Sequence, residues 1–385
     1  MHLFFRNHLS FSAALLFLCS LQTIQAADSI LIPSPPTIIG TSYILQDFNS
    51  GEVLVEKEPD KILAPASLTK IMSAYVVFKE LKNDKLSLDE MVTVSEKAWK
   101  TPGSRMFIEV GKQVSVENLL KGMIIQSGND ASVALAEHIA GNEATFATMM
   151  NAEAKRLGLT NTNFTNSMGL PAENHHTTAK DLVKLTHALI HDFPEFYAWD
   201  SQKEFTYNKI TQKNRNRLLW KDNSVDGVKT GHTDEAGYCM VASAKRDGMR
   251  LIAVIMGTKS ESSRATETQT LLNYGFRFFE THRLYQAEQS LKQVRVWRGE
   301  RKEVKLGVAE ELYVTIAKRH YKDLKIETKI DKKITAPVEK GKEYGTVYIS
   351  LAGKKVASAP LVALEGIAVG SILQRVYDDV LELLE

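Results

Sequence analysis

The sequence predicts an α+β domain in which helices pack against an antiparallel sheet, followed by a small all-β module and a C-terminal amphipathic helix. Three observations support this prediction. Helical periodicity dominates residues 67–190, and strand-like runs separated by turn residues dominate residues 203–257. Beyond residue 282 the helical periodicity disappears and returns only at the C-terminal end. A chain of 385 residues is long enough for two domains or slightly more.

The first part of the chain combines a strand pair with a series of helices. Runs at 41–45 and 53–56 flank the turn residues Asn49, Ser50 and Gly51, which predicts a hairpin. Pro65 precedes the first helical pattern, as is usual close to a helix start. The expected helices cover residues 67–80, 116–126, 131–140, 144–157 and 179–190.

The second part of the chain is predicted to be mainly strands. The expected strands of the first domain cover residues 225–230, 237–244 and 250–257, and a helix over 266–279 follows them. Short β-type runs separated by Gly, Lys and Asp then predict the small module. These runs cover residues 294–296, 303–306, 312–316, 324–330 and 347–351.

The C-terminal segment, residues 370–385, is predicted to form an amphipathic helix that is too short to span a bilayer. One face carries an apolar stripe, made of Ile372, Val376, Val380 and Leu384 with Leu373, Tyr377 and Leu381 beside it. The polar face is acidic and has a single cation, with Arg375 among Asp378, Asp379, Glu382 and Glu385. Anionic lipid headgroups would repel this face, so packing on a partner or another subunit is the alternative to membrane contact.

Residues 1–26 have the pattern of a secretory signal peptide. Arg6 precedes an apolar run over 11–21, and the small residue Ala26 marks the expected cleavage site. The alternative is an uncleaved membrane anchor, but the run is shorter than the roughly 20 residues that cross a bilayer. We therefore expect an exported protein.

Composition excludes several classes of protein. Hydrophobic residues make up 44% and charged residues 24%, an ordinary globular balance. The net charge of +2 gives no basic excess that would indicate nucleic acid as a partner. Two cysteines, Cys19 and Cys239, are too few for a disulfide scaffold or a cysteine-rich zinc site. We expect Cys239, which lies in a strand-like run, to be a small buried residue rather than a reactive thiol.

Three short motifs carry the chemistry. Ser67-Leu68-Thr69-Lys70 opens a predicted helix, so the amine of Lys70 lies on the same face as the Ser67 hydroxyl and is suited to act as its base. Ser127-Gly128-Asn129 lies between two predicted helices, and Lys229-Thr230-Gly231 ends a predicted strand. Alone, the first motif could be a helix cap and the other two could be turns. In this order, the three form the set typical of serine acyl enzymes that act on D-alanyl peptides and β-lactams.

With these motifs, the sequence resembles the low-molecular-weight penicillin-binding proteins that are D-alanyl-D-alanine carboxypeptidases. The resemblance extends through residues 64–70, 126–131, 225–227, 229–233 and 275–281, and it covers essentially the whole chain after the signal peptide. It implies a penicillin-binding or serine β-lactamase-like catalytic domain over 27–281, a small β-rich domain over 282–365 and an amphipathic helix over 366–385. It also implies a periplasmic enzyme peripheral to the outer face of the cytoplasmic membrane.

The resemblance implies a role for each matching residue. Ser67 would attack the carbonyl between the two terminal D-alanines of a peptidoglycan pentapeptide, and Lys70 would accept its proton. Ser127 would relay a proton to the departing D-alanine amine, while Asn129 would bind the peptide and help hold Lys70. The backbone N–H groups of Ser67 and His232 would form the oxyanion hole. The same serine would be acylated by β-lactams.

Substrate recognition is expected at the third motif and one arginine. Lys229 would supply positive potential near the substrate carboxylate, and Thr230, with Gly231 beside it, would align the peptide along the strand edge. Arg264, ahead of the predicted helix over 266–279, matches the position that helps bind the free carboxylate, with a solvated surface arginine as the alternative. For His232, a general base is the weaker alternative to a backbone donor.

Two other functions use the same fold. A class A β-lactamase would carry a carboxylate in a Glu-x-x-Leu-Asn segment, which is missing here, and usually Ser-Asp-Asn rather than Ser127-Gly128-Asn129. A non-catalytic wall-binding protein of this fold would not be expected to retain all three motifs.

The adjacent His175 and His176 suggest a metal site, but they lack the i, i+4 spacing of a metalloprotease helix. We expect a solvated loop there, no metal, and no cofactor.

Overall fold

The protein is described here from a computed structural model, which covers residues 31–330 and 333–384. The predicted signal peptide, residues 1–26, lies outside the described residues. The helices are α1 Thr69–Lys82, α2 Glu96–Lys100, α3 Val116–Lys121, α4 Asn129–Ala140, α5 Glu143–Arg156, α6 Ala179–Asp192, α7 Pro194–Tyr197, α8 Leu218–Lys221, α9 Glu261–Phe278 and α10 Ile372–Glu382. Shorter helical turns cover Ala66–Leu68, Ala198–Ser201 and Tyr321–Asp323, and a π-helical turn covers Gly122–Gln126.

The strands of the first region are β1 Ser42–Asp47, β2 Val53–Lys57, β3 Met91–Thr93, β4 Gln113–Ser115, β5 Glu204–Tyr207, β6 Ile210–Lys213, β7 Val225–Thr233, β8 Gly237–Arg246 and β9 Met249–Thr258. Those of the second region are β10 Phe279–Tyr285, β11 Ser290–Trp297, β12 Glu303–Gly307, β13 Leu312–Ala317, β14 Lys325–Ile330, β15 Ile334–Thr335, β16 Glu343–Leu351 and β17 Lys354–Ala363.

A five-stranded antiparallel sheet organises the first region, with the strand order β2-β1-β9-β8-β7. Side chains alternate along β9, so Ile252 and Val254 join the core beneath the helices that include α1, α4 and α6. Leu251 and Ala253 join a second core beneath α9 on the other face. Strand β7 lies at one edge of this sheet and pairs there with β8 alone among the strands of the described residues.

The second region is a β-module with its own core. Six strands form a sheet in the order β14-β16-β17-β12-β11-β15, and β10 pairs separately with β13. Residue 282 lies inside β10, which follows α9 directly, so the two regions are joined by a strand rather than by a flexible linker. The Thr281 hydroxyl donates to Asp47 Oδ2 at 2.7 Å, which ties β10 to the β1–β2 hairpin. The domain limits stated above stay predictions.

The predicted elements agree with the structure in kind and differ at some ends. The helix expected at 266–279 begins earlier, at Glu261, because the Ser260 side chain caps it by accepting from the Ser263 N–H. Strand β17 was not predicted, since Pro360 and small residues interrupt its β-type pattern. Cys239 is fully buried in β8, and burial raises the pKa of its thiol to about 11, as expected of a structural residue.

Helix α9 lies close to the sheet because Gly275 faces it. A Cβ atom at this position would lie 2.5 Å from Leu251 Cδ1 and 3.0 Å from Leu45 Cδ2, closer than van der Waals contact allows. The absent side chain therefore sets the distance between α9 and β9.

We predict that Gly275→Val lowers the free energy of unfolding by about 1–3 kcal/mol, because the added methyl groups overpack this contact. Thr266→Val, at an exposed position of the same helix, is the matched control for the helix propensity of valine. Urea unfolding of both variants measures the effect. Equal unfolding midpoints for the two variants would contradict the packing argument.

Candidate active site

Ser67 lies in the short helical turn Ala66–Leu68 that leads directly into α1. Its side chain is half-buried, and the preceding residue, Ala66, has a φ of 48°, a left-handed conformation that costs a non-glycine residue of order 1–3 kcal/mol. The Ala66 carbonyl accepts a hydrogen bond from the Thr69 hydroxyl at 2.8 Å. It also packs so tightly against Gly169 that a Cβ there would lie 1.8 Å from the carbonyl oxygen. These contacts hold the turn that carries Ser67.

The Lys70 amine is buried and contacts three oxygens. Nζ lies 3.0 Å from Ser67 Oγ, 2.7 Å from Asn129 Oδ1 and 2.6 Å from the Met168 carbonyl oxygen. The amide oxygen and the carbonyl oxygen can only accept hydrogen bonds. A neutral amine therefore donates its two N–H groups to them and directs its lone pair at the Ser67 hydroxyl, which is the arrangement of a nucleophile beside its base.

The electrostatic surroundings favour this neutral form. Burial lowers the pKa of Lys70 well below its ordinary value, the positive charge of Lys229 lowers it further, and Asp130 opposes the shift. The pKa of Lys229 is itself lowered to about 7, mainly by burial and then by the charges of Arg264 and Arg215. Two lysines that are charged in water thus titrate here well below their usual range.

Ser127 and Asn129 are positioned by an irregular helix. The predicted helix over 116–126 ends in the π-helical turn Gly122–Gln126, and Ser127 then adopts a left-handed φ of 67° with 4% of its surface exposed. Asn129 begins α4, and its Nδ2 donates to the Pro102 carbonyl at 2.6 Å while Oδ1 accepts from Lys70. The second motif therefore reaches Lys70 through the amide side chain.

The third motif lies on β7. The sequence suggested that it ends the strand, whereas the strand continues beyond it to Thr233. Lys229 Nζ donates to the Thr230 carbonyl at 2.9 Å, and both side chains are buried. Gly231 faces the turn that carries Ser67, since a Cβ there would lie 3.1 Å from the Pro65 oxygen. His232 is exposed and its ring lies 3.9 Å from that of Tyr238.

Arg264 is attached to the same strand. The sequence suggested that Arg264 lies ahead of a helix, whereas it lies in the first turn of α9. Its Nη1 donates to the Gly231 carbonyl at 3.0 Å, and only 6% of the residue is exposed. A solvated surface arginine is therefore excluded.

Several residues of the site were missed by the sequence motifs. Met168 contributes a backbone carbonyl, for which no side-chain pattern exists. The Asp130 carboxylate, fully buried, accepts from the backbone N–H groups of Met106 and Phe107 and so fixes the loop beside Asn129. Arg215 is close enough to Lys229 to lower its pKa, yet it lies in a polar stretch that has no motif.

The two adjacent histidines were expected in a solvated loop, which is wrong for His175. Only 6% of His175 is exposed, and its Nε2 lies 2.8 Å from Thr69 Oγ1. His176 is half-buried, and its backbone pairs with Asn163. Among residues 31–330 and 333–384, no cluster of three or more His, Cys, Asp or Glu is arranged to hold a metal.

Comparisons with known proteins identify the family of this chain. Residues 30–260 match the D-alanyl-D-alanine carboxypeptidase family, and residues 279–368 match the family of the C-terminal domain of penicillin-binding protein 5. D-alanyl-D-alanine carboxypeptidase DacC of Escherichia coli is 46% identical over 381 residues, which cover 97% of this chain and 94% of DacC.

Solved structures of other penicillin-binding proteins are also similar to this chain. Penicillin-binding protein 5 from Haemophilus influenzae matches with a TM-score of 0.85 at 43% identity, over 87% of this chain and 99% of that one. Penicillin-binding protein D2 from Listeria monocytogenes, in its ampicillin-bound form, matches with a TM-score of 0.58 at 32% identity, over 63% of this chain and all of that one (100%).

The fold and the family matches define a serine hydrolase with the penicillin-binding fold followed by an all-β domain. The chain belongs to the D-alanyl-D-alanine carboxypeptidase family. The fold class, the family and the type of enzyme that the sequence predicted are thereby confirmed.

The lowered pKa of Lys229 predicts a pH-dependent stability. The unfolded chain keeps a proton on this lysine up to about its ordinary pKa of 10.5, whereas the folded protein loses it near pH 7. The unfolded state therefore binds more protons between these values, and stability rises with pH across this window by up to about 1.4 kcal/mol per pH unit.

Lys229→Met removes this contribution. We expect the wild type to gain stability relative to the variant as pH rises from 7 to 10, measured by denaturant unfolding at each pH. Lys259→Met, at an exposed lysine, is the control. A difference between wild type and Lys229→Met that stays constant with pH would contradict the buried-amine assignment.

Proposed function

We propose that this enzyme removes the terminal D-alanine from peptidoglycan pentapeptides through an acyl-enzyme on Ser67. The observation that carries the proposal is the Lys70 amine, 3.0 Å from Ser67 Oγ, with its other two contacts made to groups that only accept hydrogen bonds. This geometry supports proton transfer from the serine hydroxyl to the amine as the hydroxyl attacks.

Each step conserves atoms and charge. Ser67 Oγ bonds to the carbonyl carbon between the two D-alanines while its proton passes to Lys70. The tetrahedral intermediate collapses when the C–N bond breaks, and Ser127 relays the proton from Lys70 to the departing amine. Water then attacks the ester, its proton passes back through Lys70 to Ser67 Oγ, and the shortened peptide leaves. The N–H groups of Ser67 and His232 stabilise the oxyanion in both steps.

Substrate binding is assigned to the edge of β7. A peptide aligned beside Thr230 and Gly231 would pair with the strand in β fashion, and Asn129 would hydrogen-bond its backbone. The free carboxylate would meet the positive charge of Arg264 and would favour the protonated form of Lys229 beside it. Both cations are buried beside the strand, where their attraction for an anion is stronger than in water.

β-Lactams would acylate the same serine, in line with the ampicillin-bound structure of the Listeria monocytogenes relative. Efficient β-lactamase activity would need a carboxylate near the ester to activate water. Within the described chain, the groups that hydrogen-bond Lys70 are Ser67, the Asn129 amide and the Met168 carbonyl, none of which is a carboxylate. This favours a carboxypeptidase over the class A alternative, and the intact Ser67–Lys70 pair disfavours a non-catalytic wall-binding protein.

We expect the purified protein to release D-alanine from a pentapeptide ending in D-Ala-D-Ala, and Ser67→Ala to lower the rate at least about a thousandfold while the fold is retained. Free D-alanine is measured over time, and mass spectrometry after penicillin treatment should locate a single adduct on Ser67. The tetrapeptide product is the substrate control. No D-alanine release by the wild type would refute the carboxypeptidase, and rapid release of hydrolysed penicillin would favour a β-lactamase.

We further propose that α10 contacts the outer face of the cytoplasmic membrane peripherally. No helix within the described residues is long and apolar enough to cross a bilayer. The apolar stripe of α10 is exposed, with 82% of Leu373 and 55% of Val376 accessible, although an amphipathic helix normally buries such a stripe. A lipid surface would cover it, with export depending on the predicted signal peptide at 1–26.

The sequence suggested that the acidic face of α10 would oppose this contact, but its carboxylates are paired with groups of the β-module. Arg298 Nε donates to Asp379 at 2.6 Å and its backbone N–H to Asp378 at 2.5 Å, and Lys333 pairs with Glu382. The β-module thus holds the acidic face and supplies the cations that the helix lacks. The helix therefore presents apolar side chains outwards while its carboxylates are paired.

Replacing Leu373 and Val380 with Asp should abolish sedimentation of the full chain with vesicles of mixed neutral and anionic lipids, because the charges remove the apolar contact. Penicillin labelling should stay unchanged, since α10 contributes nothing to the active site. Glu343→Gln, on a strand of the β-module, is the control. Vesicle binding by the double variant at the wild-type level would refute the membrane contact, and a wild-type dimer that the variant loses would point to a second copy instead.

A further inference from the structure

A buried histidine connects the loop between α5 and α6 to the turn that carries Ser67. The Thr165 backbone N–H donates to His175 Nδ1 at 2.9 Å, and His175 Nε2 lies 2.8 Å from Thr69 Oγ1. The ring packs edge-on against Phe164. The motifs assign His175 no role, and the mechanism proposed above does not use it.

The hydrogen bonds define which nitrogen carries the proton. Nδ1 accepts from the Thr165 backbone N–H, and the Thr165 hydroxyl, 3.1 Å away, can donate to it as well, so the proton of a neutral ring is on Nε2. The Thr69 hydroxyl donates its single proton to the Ala66 carbonyl at 2.8 Å and therefore accepts from Nε2–H. The result is a directed chain from the Thr165 N–H through His175 and Thr69 to the Ala66 carbonyl.

A charged imidazole would weaken this chain, because a proton on Nδ1 would oppose the Thr165 backbone N–H and would have only the Thr165 hydroxyl, 3.1 Å away, as an acceptor. Burial, together with the neighbouring His176, lowers the pKa of His175 to about 4, so the ring is neutral at the pH values where a neutral Lys70 can act as a base. The groups that face the ring are the Thr165 backbone N–H and hydroxyl, the Thr69 hydroxyl, the Phe164 ring and the titratable neighbour His176.

The far end of the chain is the residue next to the nucleophile. Ala66 has the left-handed φ of 48°, and its carbonyl orientation determines where the following peptide N–H and the Ser67 hydroxyl point. The same loop supplies the Met168 carbonyl to Lys70 at 2.6 Å and the Ser167 carbonyl to Ser73 at 2.5 Å. One loop thus orients the base directly and the nucleophile through His175.

We propose that His175 is a positioning residue for the acylation step, which as a neutral imidazole holds the Thr69–Ala66 contact and thereby the orientation of Ser67. The proposal rests on the proposed function, in which Ser67 is the nucleophile. Within the described residues His175 makes no hydrogen bond to Ser67 or Lys70, so it acts through the turn and not on the substrate.

The test is the acylation of the full chain by a fluorescent penicillin under single-turnover conditions, which separates the maximal acylation rate from the dissociation constant of the first complex. We expect His175→Ala to lower the maximal rate at least about tenfold with the dissociation constant changed less than about twofold, because orientation is lost and the binding edge is not. His175→Gln should restore most of the rate, since an amide offers one acceptor and one donor.

His176→Ala is the matched control and should acylate at the wild-type rate. Thr69→Val removes the next hydroxyl in the chain at nearly constant volume, and Thr69→Ser retains it. If the two residues act in series, the His175→Ala and Thr69→Val losses do not multiply in the double variant.

Three results would overturn the inference: His175→Ala acylating at the wild-type rate, His175→Gln acylating no faster than His175→Ala while both melt at the same temperature, or losses that multiply in the double variant. If His175→Ala fails to fold, His175→Gln and the Thr69 pair carry the test. Failure of the proposed function is recognised separately, because the wild type would then carry no adduct on Ser67.

Discussion

The proposed active site depends on the placement of one amine, that of Lys70, in the protein interior. Burying a charged ammonium group without partners is costly, and the lowered pKa of Lys70 relieves that cost by favouring the neutral form. The neutral amine still requires acceptors for its N–H groups, and these come from Asn129 on α4 and Met168 on a distant loop. The proposed base, Lys70, therefore has both acceptors only when α1, α4 and the loop before α6 pack together. The proposed proton transfer therefore depends on tertiary folding, because both acceptors of Lys70 Nζ come from other parts of the chain.

The same dependence on tertiary folding explains why strained backbone lies beside both serines. Ala66 precedes Ser67 with a φ of 48°, and Ser127 itself has a φ of 67° after a π-helical turn. Such conformations persist only where surrounding contacts determine them. Around Ala66 these contacts are the Thr69 hydroxyl and the close approach of Gly169. The strain thus places two hydroxyl groups that an ideal helix would direct elsewhere.

The sequence was informative wherever side chains form a local pattern. Ser67 and Lys70 are three residues apart on one helical stretch, so their approach follows from helix geometry, and the strand pattern over β8 and β9 predicts the sheet centre. Contacts that depend on backbone atoms or on remote loops have no such pattern. The Met168 carbonyl and the burial of His175 emerge only from tertiary structure, which is why the sequence suggested a solvated loop around that histidine.

The effect of charge on the C-terminal helix α10 could likewise not be predicted from the sequence. Counted along the sequence, α10 is an acidic helix with one cation, and electrostatics alone would direct it away from an anionic surface. In the structure the carboxylates of Asp378 and Asp379 lie against Arg298, and Lys333 is paired with Glu382. A charge that is paired within the protein has a weak field a Debye length away, about 8 Å at physiological salt. In the proposed membrane contact, the affinity of this face would then be governed by its exposed apolar side chains, whose stripe the sequence predicted, and not by the sign of its acidic residues.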